Sequence, residues 1–327
     1  MPVLGLGTAP LGELYRLVDE TEAQDALAAA WDVGVRYYDT APWYGRGLAE
    51  HRAGGFLRNR PREAFVLSTK VGRTLHRPSD PARFDRGLWT GGLRFEVRFD
   101  YGRDGILRSY EQALQRLSLD TVDALVIHDL DAGYHAPDDL DRHRRALAEG
   151  GMRALAELKA SGEIRAVGMG INSDEAFEAA VGELDLDFLL VAMPYTLLDQ
   201  RSLHRGMAAC QERGISVVVG APFASGILAT GSTSDARYGY AAAPPEVQEK
   251  VRAMERVASA HGASLPTAAL QFPLAHPAVA AVIPGAASAR EARQNASALE
   301  ASIPAAFWSD LKAEGLIAAD APTPAEG

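Results

Sequence analysis

Residues 215–220 read Ile-Ser-Val-Val-Val-Gly (ISVVVG), a run with one polar side chain, Ser216, directly after the helix-stopping Arg213-Gly214. A strand with one wet face alternates apolar and polar residues. A nearly unbroken β-branched run instead fits a strand covered on both sides, as in parallel α/β sheets. Upstream, residues 202–213 read as a helix, 188–193 as a strand, 173–181 as a helix capped by Ser173, and 164–169 as a strand. Earlier strands fall at 4–8, 35–40, 65–70 (FVLSTK) and 122–129 (VDALVIHD). Their helices fall at 21–33, with Thr21 as N-cap and Gly34 closing, then at 48–58, 104–117 and 151–160, the last ending at Ser161-Gly162. Downstream come helices at 246–261 and 267–274, a strand at 279–283 and a helix at 288–299. Eight strand–helix pairs without a composition break predict an α/β fold, a (β/α)8 TIM barrel with long loops at its C-terminal face, forming one domain over 1–327. A doubly wound sheet with a second domain would show a linker, and none is evident. The amphipathic stretch 304–316 reads as an appendage, and the tail from about 318 is expected to fray.

The chain has 327 residues and a formal charge of −10. That balance disfavours nucleic acid and anionic membrane as partners. No run approaches the 18–20 or so uncharged apolar residues of a membrane helix, and the start MPVLGLGTAPLG has no secretory pattern. A cytoplasmic location is expected. The lone Cys210 excludes an internal disulfide and a cysteine metal cluster, and it reads as a buried structural thiol. No metal site is expected. Oligomeric state is not legible.

Polar residues cluster at the predicted C-terminal strand ends, where barrel enzymes work. Asp39 ends the second strand, Lys70 the third and His128 the fourth, and Tyr44 lies in the loop after the second. A phenol is a poor acid or base near neutrality. A neighbouring ammonium favours its phenolate, a carboxylate orients the ammonium, and an imidazole binds the same substrate oxygen. Such a set moves a proton on or off a carbonyl or alcohol oxygen. Two long segments, 71–103 and 221–245, follow strands. The first lacks regular periodicity and is rich in aromatics, among them Phe84, Trp89, Phe95 and Phe99. Gly5, Gly7 and Gly12 superficially suggest a dinucleotide fingerprint, but their spacing fails it.

The contexts DTAPWYG, STKVG and VIHD around Asp39, Tyr44, Lys70 and His128 resemble the catalytic tetrad of the aldo-keto reductase family. The resemblance spans residue 4 to about 316 and includes GLGTAPLG, PYTLLDQ and VIPGAASAREARQNASAL. It implies a barrel that binds a nicotinamide cofactor without a Rossmann domain. Tyr44 would be the general acid/base, Lys70 would lower its pKa, Asp39 would pair with Lys70, and His128 would orient the substrate. The resemblance assigns the cofactor to Gly7, Thr8, Ala9, Asp39, Asn172, Pro222, Phe223, Ser225, Gly226, Leu228, Pro284, Gly285, Ala286, Ser288, Glu291 and Asn295, with Asn172 on the carboxamide.

GTAPLGELYR, FDYGRDGILRSYEQALQRL and VVVGAPFASGIL resemble a branch of sugar and pyridoxal dehydrogenases. That branch implies oxidation of a cyclic hemiacetal to a lactone by NAD(P)+. An aldopyranose of L-fucose or D-threo-aldose type is the first expectation, and pyridoxal giving 4-pyridoxolactone the alternative. A general aldehyde reductase and a turnover-free cofactor-binding regulatory subunit are further alternatives. Where NADP binders place cations against the 2′-phosphate, Gly285 and Glu291 stand here, so NAD is expected over NADP. Trp43, Trp89, Phe95 and Asp129 are the candidate substrate contacts. Two departures from the family pattern stand out. Gly220 occupies the place of a nicotinamide-stacking aromatic, leaving Phe223 or Tyr195 to substitute. The usual N-terminal hairpin is missing or reduced.

Overall fold

The computed structural model describes residues 2–324. Eight strands form one sheet in chain order: β1 (Leu6–Gly7), β2 (Tyr37–Asp39), β3 (Val66–Val71), β4 (Ala124–Ile127), β5 (Ala166–Ile171), β6 (Phe188–Val191), β7 (Ser216–Gly220) and β8 (Val279–Ile283). Gly7 also makes a parallel bridge to Gly285. This order, with a helical crossover between successive strands, is that of a (β/α)8 barrel. By contacts the chain forms two compact units. The first comprises the opening 170 residues with Leu186–Phe188 and Gly285–Arg293. The second comprises Ile171–Asp185, Leu189–Pro284 and the segment from Gln294 on.

In the first unit, β2 pairs in parallel with β3 and β3 with β4, so that Asp39 lies opposite Ser68 and Lys70 opposite Val126. The first helix is Glu20–Asp32, capped by Asp19 rather than the expected Thr21. The Asp19 carboxylate accepts from the Glu22 N–H at 2.8 Å. A carboxylate at the positive helix end is favoured by the dipole as well as the hydrogen bond. Val35 and Arg36 are not strand, and β2 is correspondingly short. The stretch 71–103 is more regular than its sequence suggests. Arg73–His76 and Glu96–Phe99 pair as an antiparallel hairpin, with Arg73 opposite Phe99. Four-residue arms of mixed polarity are too short for a periodicity signal.

In the second unit, β7 and β8 run parallel with Val219 beside Val282. Every residue of β7 after Ser216 is buried, as the apolar run requires. The helix expected at 202–213 is α-helical only over Ala208–Arg213, closed by Gly214 at φ +68°. Through 324 the tail makes contacts with the rest of the second unit. The Ala318 N–H donates to Gln200 Oε1 at 3.1 Å, and Ala321 is buried. Residues 325–327 lie outside the described residues. No described helix is long and apolar enough to cross a membrane.

Candidate active site

Strand parity assembles the charged floor. Tyr37 and Asp39 lie two apart on β2, and Ser68 and Lys70 two apart on β3, so each pair shares a face. Lys70 Nζ donates to Asp39 Oδ2 at 2.5 Å and to the Thr40 carbonyl at 3.0 Å. Ser68 Oγ donates to Asp39 Oδ1 at 2.7 Å and lies 3.1 Å from the Tyr37 hydroxyl. Both ions are almost wholly buried, and burying them is tolerable because each has its counter-ion and further hydrogen bonds.

Tyr44 comes to this floor on a strained turn. Gly45, Arg46 and Gly47 all take positive φ. A Cβ on Gly12 would lie 2.5 Å from Gly45 N, and one on Gly45 would lie 2.6 Å from Gly12 O. Gly12 is therefore needed for backbone approach to the Tyr44 turn. The Tyr44 ring lies 4.6 Å from Lys70 Nζ and 6.1 Å, edge-on, from the His128 ring. The structure thus brings all four expected residues together within the first unit.

The electrostatics differ from the sequence expectation in one respect. Burial pushes the Tyr44 phenol well above its ordinary pKa, Asp39 and Asp129 add to the rise, and Arg73 opposes it. In this state desolvation outweighs the cationic neighbours, and the phenol is held protonated. Burial, with Arg73 and Lys70 nearby, pushes His128 well below its ordinary value, so the imidazole is neutral. His128 Nε2 lies 3.2 Å from Asp129 Oδ2, and Nδ1 is buried with no hydrogen-bond partner.

Asp129, expected as a substrate contact, is buried and ion-paired with Arg73. Sequence reasoning missed Arg73, whose side chain is 1% exposed. Its signal is its position three residues after Lys70, past Gly72 at φ +93°, where a Cβ would meet the Tyr101 ring at 2.4 Å. Tyr101 was missed as well; its hydroxyl donates to the His128 carbonyl at 2.7 Å. Trp89 packs 5.8 Å from the Tyr44 ring and 5.7 Å from Trp43. Phe95 is not part of this cluster. It is 37% exposed, and its carbonyl accepts from Arg46 Nη1 at 2.9 Å. Phe84 lies beneath the Arg46 guanidinium, a packing role for the long loop.

A model of the aldo/keto reductase family matches residues 3–314. The chain belongs to the aldo/keto reductase family. It is 42% identical to a pyridoxal 4-dehydrogenase from Microbacterium luteolum over 96% of this chain and 94% of that protein. It is 40% identical to a D-threo-aldose 1-dehydrogenase from a Pseudomonas species over 99% and 96%. An aldo-keto reductase from Bacillus halodurans in its holo form superposes with a TM-score of 0.71 at 26% identity, over 97% and 92% of the two chains. Membership makes this protein an NAD(P)-dependent oxidoreductase acting on CH–OH groups.

The residues assigned to the cofactor of this aldo/keto reductase lie in both units. In the first, Thr8 follows β1, donates its N–H to the Asp39 carbonyl at 2.9 Å, and buries Oγ1 without a partner. Gly7 bridges Gly285, Ala9 opens a short 3-10 turn, and Ala286 is buried. Ser288 Oγ accepts from the Glu291 N–H at 3.3 Å, and Glu291 Oε2 accepts from the Ala287 N–H at 2.7 Å, so Glu291 closes its own loop. In the second unit, Pro222, Phe223, Ser225, Gly226 and Leu228 form the turns after β7. Ser225 and Gly226 line a cavity of about 320 Å³ together with Thr230, Asp235 and Arg237. Asn172 follows β5, Pro284 follows β8, and Asn295 is buried. In the first unit the orphaned Thr8 hydroxyl suits a polar ligand atom; in the second the cavity is lined by hydroxyl, carboxylate and guanidinium groups. A Cβ at Gly220 would lie 2.8 Å from Leu190 Cδ2, so Leu190 would have to shift for any side chain to stand there. Tyr195 cannot substitute as a stacking ring, because it is fully buried against Phe272 in the second unit.

Proposed function

We propose that the protein oxidises the hemiacetal carbon of an aldopyranose of L-fucose or D-threo-aldose type, giving a lactone. The observation that carries this reading is the Lys70–Asp39 pair beneath the Tyr44 ring, with His128 edge-on beside it. Bound NAD(P)+ supplies the hydride acceptor. The residues the family resemblance assigns to it include Thr8, Gly285 and Ser288 in the first unit and Asn172, Ser225 and Gly226 in the second. Tyr44, once ionised, accepts the hydroxyl proton as the hemiacetal C–H bond breaks, so sugar and NAD(P)+ become lactone, NAD(P)H and one proton. Lys70, fixed by Asp39 and Thr40, stabilises the phenolate. His128, neutral and desolvated, orients substrate oxygen by hydrogen bonding. Trp43 and Trp89 offer flat apolar walls to a sugar C–H face.

Pyridoxal is the second reading. A pyridine ring fits the same aromatic walls, and the 42% identical relative carries that activity in its name. NADH formation with L-fucose, D-arabinose, L-galactose, L-rhamnose and pyridoxal separates the two readings. Aldehyde reduction without NAD(P)H formation on any of these would overturn the oxidative direction. Tyr44→Phe is expected to lower turnover about 10²–10⁴-fold with cofactor binding intact, and near-normal turnover would overturn its role. Because burial raises the phenol's pKa, oxidation is expected to accelerate as pH rises from neutral into the alkaline range.

We further propose that NAD is preferred over NADP. Support for this reading comes from Glu291, whose carboxylate is held at the 285–288 loop by the Ala287 N–H and would repel a 2′-phosphate bound there. Comparison of kcat/KM for NAD+ and NADP+ tests this, and a strong NADP+ preference refutes it.

A further inference from the structure

We propose that Arg46 is a positioning residue for substrate fit: from the turn that carries Tyr44, its guanidinium fastens the loop that carries Trp89. This rests on the reading of Trp43 and Trp89 as walls of the substrate site.

The loop, residues 77–95, joins the two arms of the hairpin. Its inner side is stitched down through the backbone. The Leu93 N–H donates to the Gly45 carbonyl at 2.9 Å, the Thr90 N–H to the Glu13 carbonyl at 3.0 Å, and the Tyr15 N–H to the Leu88 carbonyl at 3.1 Å. Trp89 itself bridges to Leu14 and is buried against Trp43 and Tyr44. A Cβ on Gly92 would lie 2.9 Å from Trp89 Cβ and 3.1 Å from Gly45 O, so loop and turn approach at the backbone.

Arg46 adds a side-chain tie to both flanks of Trp89. Nη1 donates to the Phe95 carbonyl at 2.9 Å, and Nη2 to the Asp85 carbonyl at 3.0 Å. The guanidinium carbon lies 4.9 Å from the Phe84 ring centroid and 5.2 Å from that of Trp43. A planar fork can hold two carbonyls and pack on two rings at once, which a lysine ammonium cannot.

The backbone points the same way. Arg46 takes φ +55°, between Gly45 at +63° and Gly47 at +99°. Glycine occupies that region without strain. A Cβ-bearing residue held there is an outlier of the kind that gathers at functional sites. The strained backbone aims the guanidinium at the loop, and the loop in turn sets where the Trp89 ring stands relative to Trp43 and Tyr44. The Lys70–Asp39 pair beneath Tyr44 is held by Ser68 and Thr40 instead. Loss of Arg46 should therefore show in binding before chemistry.

The test uses the full-length enzyme with its best substrate from the panel above. In Arg46→Met the KM for that substrate should rise about tenfold, the worth of one well-placed aromatic contact, with kcat within about threefold of wild type. Arg46→Gly relaxes the turn and removes the guanidinium. It should show the same KM rise, and it stands in should Arg46→Met fail to fold. Arg46→Lys keeps the charge without the fork and should recover little of the loss; a wild-type KM there would overturn the proposal. Trp89→Leu should raise KM as well, and adding Arg46→Gly to it should raise KM no further, because both act through one ring. Effects that multiply would overturn the proposal, as would a fall in kcat with KM unmoved. Amide hydrogen exchange gives a readout independent of substrate. Peptides over 85–95 should exchange about tenfold faster in Arg46→Gly, with β3 and β4 unchanged, and wild-type exchange in that loop would overturn the tie. Should the wild type reduce aldehydes yet give no NAD(P)H with any panel member, the hemiacetal reading falls, and the aldehyde KM in the same variants still decides the role of Arg46.

Discussion

Two buried arginines in the first unit are treated in opposite ways. Arg52 is nearly saturated. Nη1 donates to the Leu11 carbonyl at 2.7 Å, Nη2 to the Val18 carbonyl at 2.7 Å and Glu13 Oε1 at 3.1 Å, and Nε to Glu20 Oε2 at 3.0 Å. Arg73 is buried at least as deeply, but it has one described ion-pair partner and an orphaned Nε. A saturated guanidinium ties chain segments together: here the loop before the first helix, that helix, and Leu48–Leu57, which carries Arg52. An under-satisfied one keeps directed charge beside reacting groups at a cost in stability. Depth of burial alone therefore does not distinguish scaffold from site; the hydrogen-bond inventory does.

Arg52→Met should break this contrast most visibly. Removing one partner from a saturated buried cluster is expected to cost about 3–5 kcal/mol, read as a lower urea midpoint, with kcat of the folded fraction unchanged. A stability loss as large in Arg73→Met, without any kinetic change, would erase the distinction. Tyr101→Phe should be milder. It strips the hydroxyl that donates to the His128 carbonyl, costing about 1–3 kcal/mol, and urea unfolding with kcat measured alongside checks it.

The histidines of the site side give a pH test. Burial lowers the pKa of His128, His135 and His143 from the ordinary 6.5. The unfolded chain therefore takes up protons near pH 6.5 that the native state refuses, so stability is fully present above that pH and falls as pH drops through it. Tm should decline between pH 7.5 and 5.5, and a flat profile would contradict neutral buried imidazoles. The smallest effect is expected at Cys210, whose thiol burial pushes up to about 12. The native protein should resist alkylation by iodoacetamide at pH 8, with labelling appearing only on unfolding.

Much of the site was legible because strands alternate. Asp39, Lys70 and His128 stand at strand ends, and Ser68 sits two residues before Lys70 on the same face, a signal present but unused. Tyr44 could be placed by its distance from Asp39, although the Gly12–Gly45 approach that holds it could not. The Arg73 counter-ion of Asp129 was not legible because it comes from the hairpin, whose short arms carry no period. Phe95 was grouped with Trp89 on composition, whereas Arg46 ties its backbone on an exposed face.

The sequence by itself determined the βα alternation, the parallel sheet and the residues at its strand ends, because 3.6- and 2-residue periods are local properties of the chain. Only the tertiary structure decided the Arg73–Asp129 ion pair beside His128 and the protonated state of Tyr44. Those depend on desolvation and on charges brought within hydrogen-bonding reach from segments as much as 56 residues apart, and no local pattern encodes such distances.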